Sequence, residues 1–233
     1  PAFSREAASR SLLVHGSPAK PEGDAVYNHN GWGTIAIDRE HIPVVPPELR
    51  VPGEHQRRNA LTAAAASYFI GAPPELIKAR IAGFPGIPHR LSPAGRNGKT
   101  LFYNDSAATI PEATLSAVES FDLPVHLLCG GTDKNLDMSP LADAAGLATS
   151  VWLLAGSATD RLIPLLEERR VPFASPRRSL NQILEECIAS VGATDTPSVV
   201  LFSPGCASFE LFLNEFHRGD SFLAALRELG ISS

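Results

Sequence analysis

Three loop-like segments of the chain combine small residues with side chains that can bind a ligand. They are residues 104–109, 130–137 and 203–209. In the first segment, the carboxylate of Asp105 can accept hydrogen bonds from ribose hydroxyls. In the second, Gly130 and Gly131 let the backbone approach a ligand, and Lys134 can offer a positive charge to a carboxylate or phosphate. In the third, small residues before a helix leave backbone N–H groups free to bind an anion.

Each segment also has an ordinary structural interpretation, which the residues alone leave open. Asp105 or Ser106 can cap a helix, and Lys134 can be an exposed lysine in a solvated turn. The third segment can be a tight turn between a strand and a helix. We interpret its Cys206 as a packed apolar residue and not as a nucleophile, because that role is commoner for a small cysteine in such a turn.

Other polar residues lie at predicted turns and helix ends. Arg90 follows a proline-rich connector and can reach a phosphate across a cleft. His55 and Asn59 are four residues apart where an alanine-rich helix begins, and they share one helix face or its cap. The segment 97–100 suggests a phosphate-binding loop, but it lacks the first glycine and runs into a strand. We therefore interpret it as a hairpin or loop turn.

The residues after the third segment are interpreted structurally. Asn214 and the pair Arg218 and Gly219 suit a helix face and its C-terminal cap, since glycine is common just beyond the end of a helix.

The second half of the chain alternates apolar runs with helical patterns, which predicts an α/β fold. Continuous apolar strands indicate a parallel sheet covered on both faces, a Rossmann-like doubly wound arrangement. The predicted strands are 101–103, 125–129, 151–155, 172–174 and 198–202. The predicted helices are 111–120, 139–144, 160–169, 180–190, 208–212 and 221–229. Ligands bind outside the carboxyl ends of such strands, and the three segments above lie there.

The first half is organised differently. Strand-like runs at 11–15, 25–27 and 33–37 predict a small β meander, with a hairpin turn at Asn30-Gly31. Helices are predicted over 58–69 and 75–82. A stiff connector follows at 83–88, and we place a domain boundary between residues 86 and 87.

Composition excludes several classes of protein. The chain has 233 residues, a formal net charge of −5 and three widely spaced cysteines. The charge argues against a nucleic-acid surface, and the odd, scattered cysteines argue against a disulfide framework or a zinc site. No apolar run is long enough to span a membrane, and no signal peptide is evident. We expect a cytoplasmic protein without a nucleic-acid or membrane partner and without a metal site of its own.

The order of the segments is more specific than any one of them. A GxHxxxN segment is followed by HR, NDSxAT, GGxxK, SPxxASF and RG. This succession resembles the C-terminal half of the Mur ligase family, the ATP-dependent amide-bond ligases of peptidoglycan synthesis, and its glutamate-adding members most closely. The resemblance covers residues from about 50 to 231. It implies that residues 1–86 are the tail of the family's central ATPase domain and 87–233 its C-terminal, glutamate-binding domain.

The resemblance also implies an activity. The family forms an acyl phosphate from ATP, and an amine then attacks it to give an amide. ATP and Mg²⁺ are the implied cofactors, with the Mg²⁺ ligands mostly outside this chain, and UDP-N-acetylmuramoyl-L-alanine and glutamate are the implied substrates. A monomeric full-length enzyme is expected.

Residue roles carry over by position. Gln56 and Asn59 match positions that face the adenine, although the family usually has Asn where Gln56 stands. Arg90 matches the arginine that reaches the ATP phosphates across the hinge, and Asp105 matches the aspartate that bonds the ribose. Five residues match positions around the incoming glutamate: Ser106, Thr109, Lys134, Ser208 and Phe209. Of all these, Lys134 and Arg90 are the implied catalytic residues.

Besides Gln56, the chain departs from the family pattern at three places. Where the family motif reads DSKATN, this chain has Ala107 in place of the lysine and Ile110 in place of the asparagine. Glu215-Phe216 replaces the usual Phe-Glu order near the predicted glutamate pocket. One cationic contact to glutamate is therefore missing or supplied elsewhere, and the residues leave D- and L-glutamate open.

Alternatives to a D-glutamate ligase remain at this point. The chain contains no GxxxxGK[ST] loop, so we expect it to be a fragment or an excised domain that does not turn over ATP alone. An L-glutamate-adding relative and a folylpolyglutamate synthase share the fold. A nucleotide- or glutamate-binding module without catalysis is the alternative outside the enzymes.

Overall fold

The computed structural model describes residues 13–15, 25–192 and 196–231. The chain divides into two compact units, Pro1–Pro85 and Gly86–Ser233. The strands are β1 (Leu13–His15), β2 (Ala25–His29), β3 (Trp32–Ile37), β4 (Glu40–Val45), β5 (Ser92–Asn97), β6 (Thr100–Asn104), β7 (Val125–Cys129), β8 (Ser150–Leu154), β9 (Ala174–Arg177) and β10 (Ser198–Phe202). The helices are α1 (Glu54–Phe69), α2 (Pro74–Ala82), α3 (Pro111–Val118), α4 (Ser139–Leu147), α5 (Ser157–Glu168), α6 (Leu180–Val191) and α7 (Glu215–Glu228).

The first unit contains a four-stranded sheet in the order β1-β2-β3-β4. Strands β2 and β3 form the predicted hairpin, with Asn30 and Gly31 both at positive φ in its turn. Strand β4 was not predicted. It contains Pro43, which has no N–H to donate to a neighbouring strand, and the edge position of β4 tolerates it. Residues 11–12 of the first predicted strand lie outside the described residues.

Helices α1 and α2 share a small core with this sheet. Leu61, Ala64 and Ala65 form the buried stripe of α1, and Ile77 is the buried residue of α2. They pack with apolar strand residues such as Ile35. Helix α1 begins at Glu54 and not at residue 58 as predicted.

The second unit is a six-stranded sheet in the order β5-β6-β10-β7-β8-β9. Its strands from β6 to β9 are parallel, and β5 lies antiparallel to β6 at one edge. The prediction of a Rossmann-like doubly wound α/β fold is confirmed. The turn at 97–100 joins β5 to β6, so the hairpin interpretation of this segment is also confirmed.

Two separate cores cover the two faces of this sheet. Val199 and Leu201 of β10 face a core shared with α3, α4 and α5. Val200 and Phe202 face the other core, shared with α6 and α7. This period-two alternation of fully buried residues explains why the strands are continuous apolar runs. The parallel strands all direct their carboxyl ends to one edge, where the loops after β6, β7, β8 and β10 emerge.

Two helices differ from prediction near the C-terminus. Residues 208–212 form a single turn and no helix: the N–H groups of Leu211 and Phe212 donate to the carbonyl of Ser208 at 3.2 and 2.9 Å, and the helix does not continue from there. Helix α7 begins at Glu215, six residues before the predicted start, because the Asn214 side chain caps it by accepting from the N–H of His217 at 2.8 Å. Arg218 and Gly219 are therefore inside α7, and their assignment to a C-terminal cap was wrong.

Within the described residues, no helix has the length and apolar character needed to cross a membrane.

Candidate functional site

Backbone hydrogen bonds join the loops at the carboxyl edge of the second unit. Thr132 and Ala207 exchange two N–H···O=C bonds of 3.0 Å, which link the loop after β7 to the loop after β10. Gly205 donates to the carbonyl of Ala108 at 3.1 Å, which links the loop after β10 to the loop after β6. The three segments singled out in the sequence therefore form one surface.

The paired glycines of the β7 loop serve this packing. A Cβ on Gly131 would lie 2.7 Å from the carbonyl oxygen of Ala207. One on Gly130 would lie 2.4 Å from the Thr159 hydroxyl oxygen. Both glycines have positive φ. The close approach predicted for a ligand is thus made, in this structure, to neighbouring protein backbone and side chains.

Asp105 lies at the end of β6 and is buried. Its Oδ1 accepts from the Leu91 N–H at 3.0 Å, and its Oδ2 accepts from the Ser203 hydroxyl at 2.7 Å. Burial raises the pKa of this carboxyl from 3.8 to about 6, against the opposing effect of the two hydrogen bonds. Helix α3 begins after Ile110 and has no side-chain cap, so neither Asp105 nor Ser106 caps it.

Arg218 of α7 is a fully buried arginine that sequence reasoning missed. Its guanidinium donates to the carbonyl oxygens of Ser106 at 2.7 Å, Cys206 at 2.9 Å and Ala207 at 3.1 Å. Burial lowers its pKa to about 10, so it stays charged at neutral pH. Arg218 thus clamps the β6 loop to the β10 loop. The RG pair marked its position, but the partners lie up to 112 residues away in the chain.

A second buried cluster surrounds Asn104, the last residue of β6. Its amide nitrogen lies 3.1 Å from Nδ1 of His89 and donates to the carbonyl of Gly219 at 3.2 Å, while its oxygen accepts from the Ser106 N–H at 3.0 Å. His89 Nε2 lies 3.4 Å from a carboxylate oxygen of Asp220. In the sequence, His89 stands out only as the first residue of the HR pair, and Asn104 only as the first residue of NDSxAT, with no role assigned to either.

Ser106 is fully buried beneath these contacts. Its hydroxyl is one of two buried side-chain polar groups in the described residues that have no hydrogen-bond partner, and the other is Nε of Arg218. An unpartnered buried hydroxyl is costly, because it has lost its hydrogen bonds to water without replacement.

Lys134 and Thr109 both line one small pocket. Its lining includes both residues together with Gly205 and Cys206, so it draws on all three loops. Lys134 is exposed, whereas Thr109 is half-buried. Burial raises the pKa of the Cys206 thiol to about 12, which opposes formation of the thiolate and supports its interpretation as a packing residue.

The loop that carries Lys134 is braced by Arg161 of α5. The guanidinium of Arg161 donates to the Asp133 carboxylate at 2.6 and 2.8 Å and to the carbonyl of Leu136 at 3.1 Å. Its hydrogen bond lowers the pKa of Asp133. Arg161 was not identified from the sequence, where it appears as one more charged residue on a helix.

Ser208 and Phe209 follow one another in the β10 loop but differ in exposure. Ser208 is 4% exposed and Phe209 is 66% exposed. The next residue, Glu210, fixes this stretch: its N–H donates to the Thr132 hydroxyl at 2.9 Å, and its carboxylate accepts from Ser157 at the start of α5.

The remaining predicted residues lie elsewhere. Gln56 and Asn59 are on α1 in the first unit, the former half-buried and the latter exposed. Arg90 is exposed in the second unit, directly after His89. Among residues 13–15, 25–192 and 196–231, no group of three or more His, Cys, Asp or Glu side chains could hold a metal ion.

Comparison with known proteins identifies the family. The UDP-N-acetylmuramoylalanine–D-glutamate ligase of Treponema pallidum is 37% identical over 84% of this chain and 44% of its own length. The enzyme of the same name from Roseiflexus is 36% identical over 92% of this chain and 45% of its own. The chain belongs to the Mur ligase family. It spans about half the length of the relatives it matches, and no family model matches it.

Solved structures agree on the fold of this family. MurF from Acinetobacter baumannii superposes with a TM-score of 0.61 at 15% identity, over 88% of this chain and 47% of that one. The UDP-N-acetylmuramate–alanine ligase of Thermotoga maritima superposes with a TM-score of 0.60 at 15% identity, over 98% and 54%. The chain corresponds to the C-terminal part of a Mur ligase.

The departures from the Mur ligase pattern lie at the same edge. Ala107 is half-buried, and its N–H donates to the carbonyl of His89 at 2.9 Å. Ile110 is 45% exposed just before α3, and Glu215 opens α7. Position 107 thus brings no charge to this surface. Lys134 is the exposed cation that lines the pocket with Thr109.

Proposed function

We propose that the protein containing this chain is a cytoplasmic, ATP-dependent ligase that adds D-glutamate to UDP-N-acetylmuramoyl-L-alanine in peptidoglycan synthesis. The observation that carries the proposal is 31–37% identity to four D-glutamate ligases over most of the chain. These relatives are named as D-glutamate ligases, which supports D-glutamate over the L-glutamate and folate alternatives that the residues left open.

The geometry supports a role for this part in holding the incoming amino acid. Lys134 is an exposed cation that lines the same small pocket as Thr109, and we assign its ammonium group to a carboxylate of the amino acid. Ser106 and Ser208 lie in the loops after β6 and β10 at the same edge of the sheet, and both are buried in this structure. If Lys134 takes up a carboxylate of glutamate, the α-amine is left free to attack.

ATP supplies the phosphoryl group that converts the acid substrate into an acyl phosphate. The amine of glutamate then attacks the acyl carbon, the C–N bond forms, inorganic phosphate leaves and the amine loses a proton. Holding the amine in place turns an encounter in solution into a positioned reaction, which supplies much of the rate. We assign glutamate positioning to Lys134 and phosphate neutralisation to Arg90, with Gln56 and Asn59 beside the adenine. Among the described residues there is no group of three or more His, Cys, Asp or Glu side chains that could hold a metal ion, and we assign no step to Mg²⁺.

The test measures ADP release by the full-length protein. Release should require both UDP-N-acetylmuramoyl-L-alanine and D-glutamate, and L-glutamate should not replace D-glutamate. Lys134→Gln should raise the KM for glutamate about ten-fold or more, because a charged hydrogen bond is lost.

Arg227→Gln is the matched control, since Arg227 is an exposed cation in the last turn of α7. It should leave the KM unchanged. Glutamate binding without ADP release would contradict the proposal and favour a binding module. Equal use of both enantiomers would contradict the D-glutamate assignment.

A further inference from the structure

Lys134 lies in the loop after β7, and both of its neighbours in the chain are anchored. The N–H of Asp133 donates to the hydroxyl of Ser157 at 3.0 Å, and Ser157 opens α5. The N–H of Asn135 donates to Oδ1 of Asp133 at 2.8 Å. Asn135 has φ 58°, in the left-handed region that asparagine adopts more readily than most residues. The backbone on either side of Lys134 is therefore held, although Lys134 itself is exposed.

Arg161 lies one turn after Ser157 on α5 and holds the same loop through its side chain. Its guanidinium donates to both oxygens of the Asp133 carboxylate, at 2.6 and 2.8 Å. It also donates to the carbonyl oxygen of Leu136 at 3.1 Å. These acceptors lie one residue before Lys134 and two residues after it. A single side chain of α5 thus spans the turn of the loop that carries the lysine.

The ordinary interpretation of this ion pair is a surface contact. The side chain of Arg161 is 43% exposed and that of Asp133 is 24% exposed, and exposed ion pairs contribute little to stability. A second pair of this kind lies at the other end of α5, where Arg169 pairs with Asp143 of α4. The two pairs differ in place, because Asp133 lines the small pocket shared by Lys134 and Thr109, and neither residue of the second pair does. The position of the first pair therefore points to a role at that pocket.

We propose that Arg161 is a positioning residue that, through Asp133 and Leu136, holds Lys134 in place for a carboxylate of the incoming amino acid. The inference rests on the proposed function for the identity of that amino acid. A group that meets a substrate has to be held to within about 0.5 Å, and hydrogen bonds from surrounding side chains supply that constraint. The side chain of lysine is long and flexible, so the backbone that carries it is the part that the protein can fix.

Two other accounts also give Arg161 an effect on the binding of an amino acid. In one, its guanidinium contacts the carboxylate directly, and in the other its charge attracts the carboxylate from a distance. Both predict that removal of the Asp133 carboxylate leaves binding unchanged or strengthens it, because Asp133 is an anion that competes for Arg161. Positioning predicts the opposite sign, since loss of either partner releases the loop that carries Lys134.

The test measures the KM for D-glutamate of the full-length protein from ADP release. Arg161→Gln and Asp133→Ala should each raise this KM several-fold and leave the KM for ATP unchanged, because the Lys134 loop is no longer held. In a Lys134→Gln background, Arg161→Gln should have no further effect. An unchanged KM in Arg161→Gln, an unchanged or lowered KM in Asp133→Ala, or effects of Arg161→Gln and Lys134→Gln that multiply would each overturn the proposal.

The second ion pair of α5 supplies matched controls. Arg169→Gln and Asp143→Ala should leave the KM for D-glutamate unchanged, and a rise equal to that of Arg161→Gln would overturn the proposal. Arg161→Lys keeps the charge but lacks the planar fork that reaches Asp133 and Leu136 together, so it should recover at most part of the loss. Full recovery would show that charge alone matters and would also overturn the proposal. Urea denaturation should give similar midpoints for all these variants, because both ion pairs are exposed.

The outcomes also separate this inference from the proposed function. A ligase whose KM for D-glutamate rises in Lys134→Gln but not in Arg161→Gln keeps the proposed function and overturns the inference. A protein that binds D-glutamate in calorimetry without ADP release, and whose affinities follow the pattern expected above, does the reverse. A ligase whose KM is unchanged in Lys134→Gln overturns the role of the lysine and the inference with it, while the ligase activity stands.

Discussion

Asp105 combines burial, two hydrogen bonds and a raised pKa, and these have a consequence for stability. The folded carboxyl has a pKa of about 6, whereas its ordinary value is 3.8. Between these values the folded protein binds more protons than the unfolded chain, so stability falls as the pH rises through the window. For each pH unit between the two pKa values, the free energy of unfolding falls by about 1.4 kcal/mol, so the total decrease is at most about 3 kcal/mol.

Asp105→Asn should remove this pH dependence. We expect the free energy of unfolding of the variant, relative to the wild type, to increase by up to about 3 kcal/mol between about pH 4 and about pH 7. Ser203 can donate to Thr114 at 3.0 Å in the variant, so the lost contact adds only a constant offset. Urea denaturation at several pH values measures the difference. Asp122→Asn, on the surface, is the control, and a flat difference for Asp105→Asn would contradict the prediction.

The residues that offer chemistry were visible in the sequence, but those that hold them were not. Lys134 could be picked out because it is a cation in a loop after an apolar run, and Thr109 and Ser208 because they match positions in the motifs of the Mur ligase family. Arg218 and Asn104 could not, because their hydrogen bonds cross 112 and 115 residues of chain. Hydrogen bonds over such distances leave no periodicity in the sequence.

Helix α7 packs closely against the end of β6, and the residue at the point of closest approach is Gly219, which has no side chain. A Cβ on Gly219 would lie 2.3 Å from both Nδ1 of His89 and the hydroxyl of Ser106. The glycine is therefore required by the close approach of α7 to the end of β6. Glycine is common just beyond the end of a helix, which is why the sequence wrongly predicted a C-terminal cap at this position.

Gly219→Ala should destabilise the protein by roughly 1–3 kcal/mol, because the added methyl group overpacks a filled space. Gly146→Ala in α4 is the matched control. Its Cβ would meet only Cγ2 of Val171, at 3.8 Å, an ordinary contact. It should stabilise by up to about 1 kcal/mol through helix propensity. Urea denaturation of both variants decides, and equal effects would contradict the argument.

The accuracy of the predicted helix and strand boundaries depended on helix caps and on whether a strand lies at the edge of its sheet. The strands β7 and β10 matched prediction residue for residue, because a strand buried on both faces is a continuous apolar run. Edge strands β4 and β5 carry prolines and polar residues and were not predicted. Helix α7 starts where the side chain of Asn214 caps it. Asparagine is also common in loops, so the sequence did not mark this start.

At the scale of the whole molecule, each unit has a core of its own. The second unit has two, one on each face of its sheet, and the first has one between its sheet and its helices α1 and α2. A segment of this size with its own core can fold alone.

We therefore expect residues 86–233, produced alone, to unfold cooperatively. Thermal unfolding should give a single transition by both near- and far-ultraviolet circular dichroism. Loss of near-ultraviolet signal at low temperature, with far-ultraviolet signal retained, would contradict the division into units. Gly219→Ala in the same segment should lower the transition temperature relative to Gly146→Ala.

The sequence by itself determined the Mur ligase family, the doubly wound sheet and the loops that carry Lys134, Thr109 and Ser208. Apolar runs and motif order are local properties of the chain, and both can be read without coordinates. The tertiary structure alone decided that Arg218 clamps two loops, that Asp105 holds Leu91 and that the paired glycines pack against protein. Those contacts depend on which strand ends become neighbours in space, and the strand order that makes β10 lie between β6 and β7 is set by packing on both faces of the sheet.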